Sequence, residues 1–188
     1  EQKLLDELAE DLAYALDVAE QDRVSLQNRQ QLELAATVFE NSNEGIAVTD
    51  CHGRIISVNR AFCEITGYQP DEVQGETHRL LKSGRHDRSF YQVMWHTLLE
   101  TGRWQGEIWN RRKDGQVYPE LLSISSVRDA QGSVSRYISV FTDISGVKQT
   151  QQQIEYLEWH DPLTDLPNRR MICNHLAQAI DLACRKEL

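Results

Sequence analysis

The fold is decided by Gly45-Ile-Ala-Val-Thr-Asp-Cys-His-Gly-Arg-Ile-Ile-Ser-Val-Asn59. Two runs within it, Gly45–Asp50 and Arg54–Asn59, are rich in the β-branched residues that favour strands. Between them Cys51-His-Gly53 is a turn signal, because glycine takes a positive φ without steric cost. The stretch therefore predicts two short strands joined by a tight turn.

After these strands the chain alternates short helices with turn signals and then changes to longer strands. The predicted helices are Arg60–Gly67, Pro70–Gly75 and Ser89–Glu100, the last with Phe90, Val93, Met94 and Leu98 on one side and Gly102 as its stop. The predicted strands are Arg103–Arg112, Gln116–Arg128 and Val134–Thr142, joined by hairpin turns that contain Gly115 and Gly132. This order predicts an α+β domain over residues 41–143.

Residues 1–40 contain neither glycine nor proline and follow a heptad pattern. Apolar residues recur every three or four positions, at Leu5, Leu8, Leu12, Ala15, Ala19 and Leu26. The pattern predicts a long helix, and the polar surroundings of the stripe favour a dimeric coiled coil over a helix packed on its own domain. The predicted dimerisation residues are Leu5, Leu8, Leu12 and Leu26. Beyond Leu26 the seam fails and resumes in another phase at Leu34, which indicates a stutter or a hinge.

Helical patterning returns after the last predicted strand. Residues 144–158 carry a thin apolar stripe, and the polar run Gln149–Gln153 interrupts it. Asp143 is the expected N-cap, because an Asp side chain accepts hydrogen bonds from the first free amides of a helix. We therefore expect a linker helix over residues 144–158.

Several motifs in and beside residues 41–143 resemble a PAS sensor domain. They are Phe39-Glu-Asn-Ser-Asn-Glu-Gly-Ile-Ala-Val-Thr-Asp50, Gly53-Arg-Ile-Ile-Ser-Val-Asn-Arg-Ala-Phe62, Thr66-Gly-Tyr68, Arg111-Arg-Lys-Asp-Gly115 and Val140-Phe-Thr-Asp-Ile-Ser145. The resemblance implies a five-stranded antiparallel sheet with short helices over one face, flanked by N-terminal and C-terminal signalling helices. From the residues themselves, Asn59 is expected to cap the next helix, and Val58, Phe62 and Ile65 to lie in the core.

The segment from Leu80 to Arg112 is similar to flavin-binding redox PAS domains such as the nitrogen-fixation regulators. The resemblance implies FAD or another flavin, with Trp95 and Trp104 as apolar walls and the amide of Asn110 at the ring edge. Arg111 or Arg112 is expected near a phosphate, with an exposed position as the alternative. The expected cofactor-binding set is completed by Phe62 and Ile65. The alternative is a set of aromatic side chains that merely pack, around a cavity that is empty or holds another ligand.

Two other cofactors of this family can be compared with the sequence. Light-sensing LOV domains carry a reactive Cys in a G-x-N-C-R-F-L motif, and the matching stretch here, Gly75-Glu-Thr-His-Arg-Leu-Leu81, has His78 in its place. LOV photochemistry is therefore not expected. Haem PAS domains use an axial His near the positions of His86 and His96. A lone His on a helix is more often an exposed or core residue than a ligand, so haem is not favoured.

A second resemblance lies near the end of the chain. His160-Asp-Pro-Leu-Thr-Asp-Leu-Pro-Asn-Arg-Arg170 resembles the opening D-x-L-T-x-L-x-N-R of a GGDEF domain, the module that makes cyclic di-GMP from two GTP molecules. Only 18 residues follow Arg170, so residues 159–188 are expected to be the start of such a domain. The Gly-Gly signature of that family is absent, and Asp161 and Asp165 are interpreted as turn or salt-bridge residues. We expect no catalytic residue and no metal site here, and a parent diguanylate cyclase with or without a phosphodiesterase domain.

Composition restricts the partners. The net charge is −9, and residues 1–44 hold 11 Asp and Glu against 3 Lys and Arg, which is typical of a solvated helix surface. Nucleic acid is not an expected partner, because phosphate binding needs clustered positive charge.

The four cysteines form no C-x-x-C pair and are expected to be free thiols. No apolar run approaches the roughly 18 residues of a membrane span, so we expect a cytoplasmic location, with any membrane anchor upstream of Glu1.

These patterns together predict a homodimeric sensory module. It would transmit a redox or small-ligand signal through Thr142, Asp143 and Ile144 to its own GGDEF output domain. The alternative is a ligand-free PAS module that only holds two output domains together.

Overall fold

The computed structural model describes the backbone of residues 2–173 and the side chains of residues 20–173. Within these bounds a long helix, α1 (Gln2–Asn41), leads into a single five-stranded sheet with helices over one face. The predicted α+β class and the five-stranded antiparallel sheet are confirmed. Residues 174–188, in the predicted output segment, lie outside the described residues.

The strands of the sheet are β1 (Gly45–Asp50), β2 (Ile55–Val58), β3 (Arg103–Arg111), β4 (Val117–Arg128) and β5 (Val134–Asp143). Their order is β2-β1-β5-β4-β3, and every neighbouring pair is antiparallel. The start of β1 therefore lies beside the end of β5, with Gly45 opposite Phe141. The helix that precedes the sheet and the helix that follows it consequently leave it at the same end.

Short helical segments connect β2 to β3 and cover the inner face of the sheet. They are α2 (Arg60–Thr66), α3 (Pro70–Val73), a 3-10 turn (His78–Leu81) and α4 (Arg88–Thr101). Because side chains alternate along a strand, every second residue of the sheet points toward these helices. The resulting core contains Val58, Phe62, Leu81, Leu98, Leu122, Phe141 and other apolar side chains, with Ile65 packed at its margin.

Asn59 joins three parts of the fold, as its predicted role as a helix cap suggests. Its Oδ1 accepts hydrogen bonds from the amides of Phe62, in the first turn of α2, and of Ile46, in β1. Its Nδ2 donates to the carbonyls of Phe39 and Glu44. The predicted capping of α2 is confirmed, and the same side chain also anchors the end of α1.

Three sequence predictions need correction. Ile144, not Asp143, is the N-cap of the last helix, α5 (Ser145–Trp159), because Asp143 still belongs to β5. Val93 is 63 % exposed, since α4 packs on the sheet through Met94 and Leu98 instead. The helix α1 runs without a break through residues 29–38, so of the two predicted alternatives the hinge is wrong and the stutter stays a prediction. A shift in the apolar seam changes what a partner would contact and leaves the backbone hydrogen bonds of the helix intact.

Candidate functional site

A polar cluster lies on the inner face of the sheet, among apolar neighbours. It consists of Asn110 on β3 and of Tyr118 and Glu120 on β4, which are 7 %, 1 % and 1 % exposed. Asn110 Nδ2 donates to Glu120 Oε1 at 2.8 Å, and the Tyr118 hydroxyl donates to Glu120 Oε2 at 2.8 Å. Both carboxyl oxygens are therefore occupied, as the burial of so polar a group requires.

Burial dominates the electrostatics of this cluster. It raises the pKa of Glu120 to about 7, although the hydrogen bonds from Tyr118 and Asn110 act in the opposite direction. Burial also raises the pKa of Tyr118, and the neighbouring Glu120 adds to that rise. Glu120 is consequently a carboxyl group that changes its charge near neutral pH, whereas Tyr118 stays a hydroxyl donor.

Arg112, in the turn between β3 and β4, connects this cluster to the end of the sheet. Its guanidinium lies over the Tyr118 ring, with Cζ 4.1 Å from the ring centroid. It donates to the Ile65 carbonyl in α2 and forms an ion pair with Asp143 at the end of β5. Because these two charged side chains are only 18 % and 23 % exposed, solvent screens the pair less than it screens a surface salt bridge.

Thr142, Asp143 and Ile144, the predicted transmission residues, lie where β5 passes into α5. Asp143 Oδ1 accepts a hydrogen bond from the Ser145 amide at 2.8 Å. Partial burial acts to raise the pKa of Asp143, but the hydrogen bonds from Ser145 and Arg112 outweigh it and lower that pKa. The start of α5 is thus attached through a carboxylate to Arg112.

The neighbours of Asp143 make further contacts at this junction. The Ile144 amide donates to the Pro119 carbonyl at 3.1 Å, and the Thr142 hydroxyl donates to Glu44 Oε1 at 3.1 Å. Farther along α5, Lys148 forms an ion pair of 2.6 Å with Glu107 of β3. Because Glu44 immediately precedes β1, the segment that leads into the sheet is in direct contact with the end of the last strand.

The residues predicted to hold a cofactor occupy three different places. Asn110 and Phe62 are buried, whereas Trp104 and Ile65 are partly buried at the margin of the core. Trp95 is 40 % exposed on α4 and meets the edge of Tyr137, while Trp104 meets the edge of Phe90, so the two indoles pack on different partners. Arg111 is exposed and donates to the Ser83 carbonyl at 2.6 Å, which places it at the sheet edge.

Each of the three histidines considered for a cofactor already has a contact in the fold. His78, at the position of the LOV cysteine, has Nε2 3.3 Å from Ser139 Oγ, and burial lowers its pKa to about 4. His86 Nε2 accepts a hydrogen bond from the Trp109 amide at 2.9 Å, and its ring stacks on Phe90. His96 is exposed on α4, with Nε2 3.4 Å from a carboxylate oxygen of Glu100.

The segment that resembles the start of a GGDEF domain contacts the end of α5. Asp161 Oδ1 accepts hydrogen bonds from the amides of Leu163 and Thr164, so the predicted turn-capping role of Asp161 is confirmed. Asn168 Nδ2 donates to the Glu158 carbonyl at 2.8 Å, and Arg170 forms an ion pair of 2.5 Å with Glu158. Asp165 accepts a hydrogen bond from the Tyr156 hydroxyl.

The long helix α1 presents apolar side chains to solvent. Those described include Val24, Leu26, Leu32, Leu34 and Val38, which are 44–72 % exposed. The predicted dimerisation residues Leu5, Leu8 and Leu12 lie in the same helix, but their side chains are outside the described residues. Exposed leucines along a helix of this length are typical of a surface that a partner covers.

Thiols, metal ligands and membrane-spanning helices are the other features considered in the described part of the chain. Cys51, Cys63 and Cys173 are free thiols there. No group of three or more His, Cys, Asp or Glu side chains in that part of the chain could hold a metal ion. None of the helices described combines the length and apolar content that crossing a membrane requires.

Sequence reasoning did not single out Glu120, Tyr118 or the Arg112–Asp143 pair. The sequence does contain a signal for the first two: Tyr118 and Glu120 alternate in phase with Leu122 and Ile124, so they belong to the buried face of β4. An acidic residue at a buried strand position requires a partner. The Arg112–Asp143 pair joins residues 31 positions apart, and no local pattern reveals it.

Several curated proteins resemble part of this chain. The chain is 38 % identical over 109 residues to a nitrogen fixation regulatory protein of Klebsiella oxytoca, an alignment that covers 58 % of this chain and 22 % of that protein. It is 27 % identical over 131 residues to a probable diguanylate cyclase of Escherichia coli, covering 66 % of this chain and 12 % of that protein. The chain thus spans about a fifth or less of the length of these two relatives.

Solved structures show the same fold. The PAS domain of a protein from Colwellia psychrerythraea superposes with a TM-score of 0.58 at 22 % identity, over 61 % of this chain and 98 % of that chain. The family model described as "PAS domain" matches residues 43–146, which is more than half of the chain. With the five-stranded sheet, its helical cover and this match, the chain belongs to the PAS domain family.

Proposed function

We propose that this chain is a sensory PAS module that transmits a redox or small-ligand signal to a cyclic di-GMP output domain. The observation that carries the proposal is the path from the interior to α5: Arg112 contacts Tyr118 on one side and pairs with Asp143 on the other. A change inside the domain that moves the turn at Arg112 would change how α5 is attached. Transmission requires such an element, whose equilibrium the signal can bias.

A flavin is the proposed ligand. The interior cluster suits the polar edge of a flat heterocycle, because Asn110 supplies an amide and each Glu120 oxygen, which accepts one hydrogen bond within the chain, has a second acceptor position. Trp104 and Phe62 would supply apolar contact area beside it. When bound, a flavin supplies reversible electron transfer at a potential that its protein contacts adjust. The similarity to a nitrogen fixation regulatory protein supports a regulatory role for this domain.

The proposed output rests on the C-terminal segment. Residues 161–169 match the opening of a GGDEF domain, and the segment contacts the last turn of α5 through Asn168 and Arg170. The similarity to a probable diguanylate cyclase supports the same assignment. The parent protein would then be a diguanylate cyclase, with or without a phosphodiesterase domain, and α5 would be the element that reaches it.

Homodimerisation is part of the proposal, because two output domains must face each other to join two GTP molecules. The helices α1 and α5 leave the same end of the sheet, and α1 carries a row of exposed leucines. Two copies paired along these helices would bury those leucines and bring their output domains together.

A ligand-free module that only holds two output domains together is the second candidate. One observation favours it: among the described residues, every buried side-chain nitrogen and oxygen atom has a hydrogen-bond partner within the chain. An interior satisfied in this way does not require a ligand.

Replacing Asp143 tests the proposed path. In the full-length protein, D143A removes both the pairing with Arg112 and the hydrogen bond from Ser145, so the response of cyclic di-GMP synthesis to the redox state should be lost. The matched control is D71A, which changes an exposed Asp on α3. If D143A retains both the basal rate and the response of the wild type, the path does not pass through Asp143.

A further inference from the structure

Two carboxyl groups and one guanidinium meet beside the start of α5. Glu120 of β4 lies directly opposite Asp143 of β5 in the strand register. Side chains of directly opposite residues in an antiparallel pair project from the same face and lie close together. Arg112 pairs with Asp143 and covers the ring of Tyr118, whose hydroxyl donates to Glu120. The guanidinium of Arg112 therefore lies near two carboxyl groups, those of Asp143 and Glu120.

The charged groups that act on Glu120 include Arg112 and Asp143. Lys82 Nζ lies 4.9 Å from the ring centroid of Tyr91, which is the neighbour of Glu120 on α4. From β3 Glu120 faces the neutral amide of Asn110, from its own strand Tyr118, from β5 Asp143, and from the turn Arg112. From α4 the neighbour is Tyr91, a hydroxyl whose pKa burial raises, with Glu120 adding to the rise. An ionised Glu120 would give the set of Glu120, Asp143 and Arg112 an excess negative charge, and a protonated Glu120 would leave a balanced Arg112–Asp143 pair.

We propose that Glu120 is a proton-operated switch on the attachment of α5. As a neutral acid it leaves the guanidinium of Arg112 to Asp143. As a carboxylate it attracts Arg112 and repels Asp143. This weakens the Arg112–Asp143 ion pair and the hydrogen bond from the Ser145 amide to Asp143, through which the first turn of α5 is attached. The switch uses only side chains of this chain, and it shares Glu120 with the proposed flavin site and the Arg112–Asp143 pair with the proposed transmission path.

Glu120 and Asp143 change their charge in different pH ranges. Burial places the titration of Glu120 near neutrality, whereas the hydrogen bonds to Asp143 keep that group ionised well below neutral pH. A change of pH across neutrality therefore changes the charge of Glu120 and not that of Asp143. Because the two groups interact, the chemical shift of a nucleus in Asp143 or Ser145 should change as Glu120 titrates.

The test follows the Ser145 amide, which donates to Asp143, by NMR on the full 188-residue chain. Its chemical shift and that of the Glu120 side-chain carboxyl carbon are recorded from about pH 5.5 to about pH 8.5, the range in which a carboxyl of this pKa changes charge. We expect the two curves to share one midpoint near neutrality. A Ser145 curve that is flat while the Glu120 carboxyl titrates would overturn the proposal, and so would a Glu120 carboxyl that titrates near its ordinary value.

Two variants separate the switch from general effects of pH. In E120Q the transition at Ser145 should disappear, whereas in the matched control E64Q, which removes an exposed acid on α2, it should remain. Y118F removes one hydrogen bond to the Glu120 carboxylate, so the Ser145 midpoint should move to higher pH, a shift that a merely structural role would not produce. A transition that persists in E120Q, or a midpoint that Y118F leaves unchanged, would contradict the proposal. Because Y118F keeps the acid in place, it provides a test even if E120Q does not fold.

Discussion

Glu120 is a carboxyl group at a position where the strand pattern otherwise places apolar side chains. Its partners Asn110 and Tyr118 can be placed on the buried face from the alternation of β3 and β4. Their mutual hydrogen bonds could not be predicted, because they depend on the register that puts Asn110 opposite Tyr118. Asn59 is different: its place before a helix predicts the cap, which is a local interaction.

The burial of Glu120 has a consequence for stability. Its pKa in the folded chain, about 7, lies above the ordinary value of 4.5, so the folded state keeps its proton to a higher pH than the unfolded state does. Stability due to this group is therefore highest below pH 4.5, falls as the pH rises to about 7 and is constant above that value. One unit corresponds to about 1.4 kcal/mol, so the loss amounts to about 3 kcal/mol.

We expect E120Q to remove this dependence. The difference in the free energy of unfolding between E120Q and the wild type, from urea denaturation, should grow in favour of E120Q between about pH 5 and about pH 7 and then level off. Subtracting the wild-type curve cancels the contributions of acids that do not interact with Glu120. A difference that is independent of pH would show that the pKa of Glu120 is not raised in the folded chain.

The elements of this fold follow from sequence more readily than their junctions do. The strands and helices were predictable within one or two residues, because period-two and three-to-four patterns and glycine stops are local. The end of β5 was not predictable in this way. Asp143 resembles a helix cap in sequence, but its ion pair with Arg112 and the hydrogen bond from the Ile144 amide to the Pro119 carbonyl extend the strand. Whether α1 packs on the sheet or pairs with a partner likewise depends on long-range contacts.

The junction of α1 with the sheet depends on Asn59. N59A removes the cap of α2 and leaves the carbonyls of Phe39 and Glu44 without that donor. We expect a loss of about 2–4 kcal/mol in the free energy of unfolding and faster amide exchange in the last turn of α1. Urea denaturation and hydrogen exchange measure the two effects. N43A, at an exposed position just before β1, is the control and should be nearly neutral.

At the scale of the whole molecule, the central arrangement is a sheet whose first and last strands are neighbours. Because β1 pairs with β5, helix α1 and helix α5 are brought to one end, where Thr142 contacts Glu44. The antiparallel sheet of a PAS fold was expected from the motif resemblance. Periodicity alone predicts the strands but not their order, since strand order is set by pairing between distant segments.

Dimerisation is predicted at this scale. Leu26 and Leu34 are 58 % and 64 % exposed on α1, so replacing both with Asp would place charges in the proposed seam without disturbing the core of the sheet. We expect the wild type to sediment as a dimer and the double variant to shift to monomer at micromolar concentration, with an unchanged circular dichroism spectrum of the sheet region. A wild type that is monomeric, or a double variant that remains dimeric, would exclude the α1 seam as the dimer interface.

The claim that the interior of this domain senses a bound molecule is tested most directly by the visible absorption spectrum of the purified 188-residue chain. A bound flavin gives bands near ~370 and ~450 nm that bleach on reduction. We expect these bands in the wild type, and we expect N110A to weaken them relative to the control N43A. A colourless sample that is fully folded and releases no small molecule on denaturation would contradict a ligand-sensing interior and favour a module that only joins two output domains.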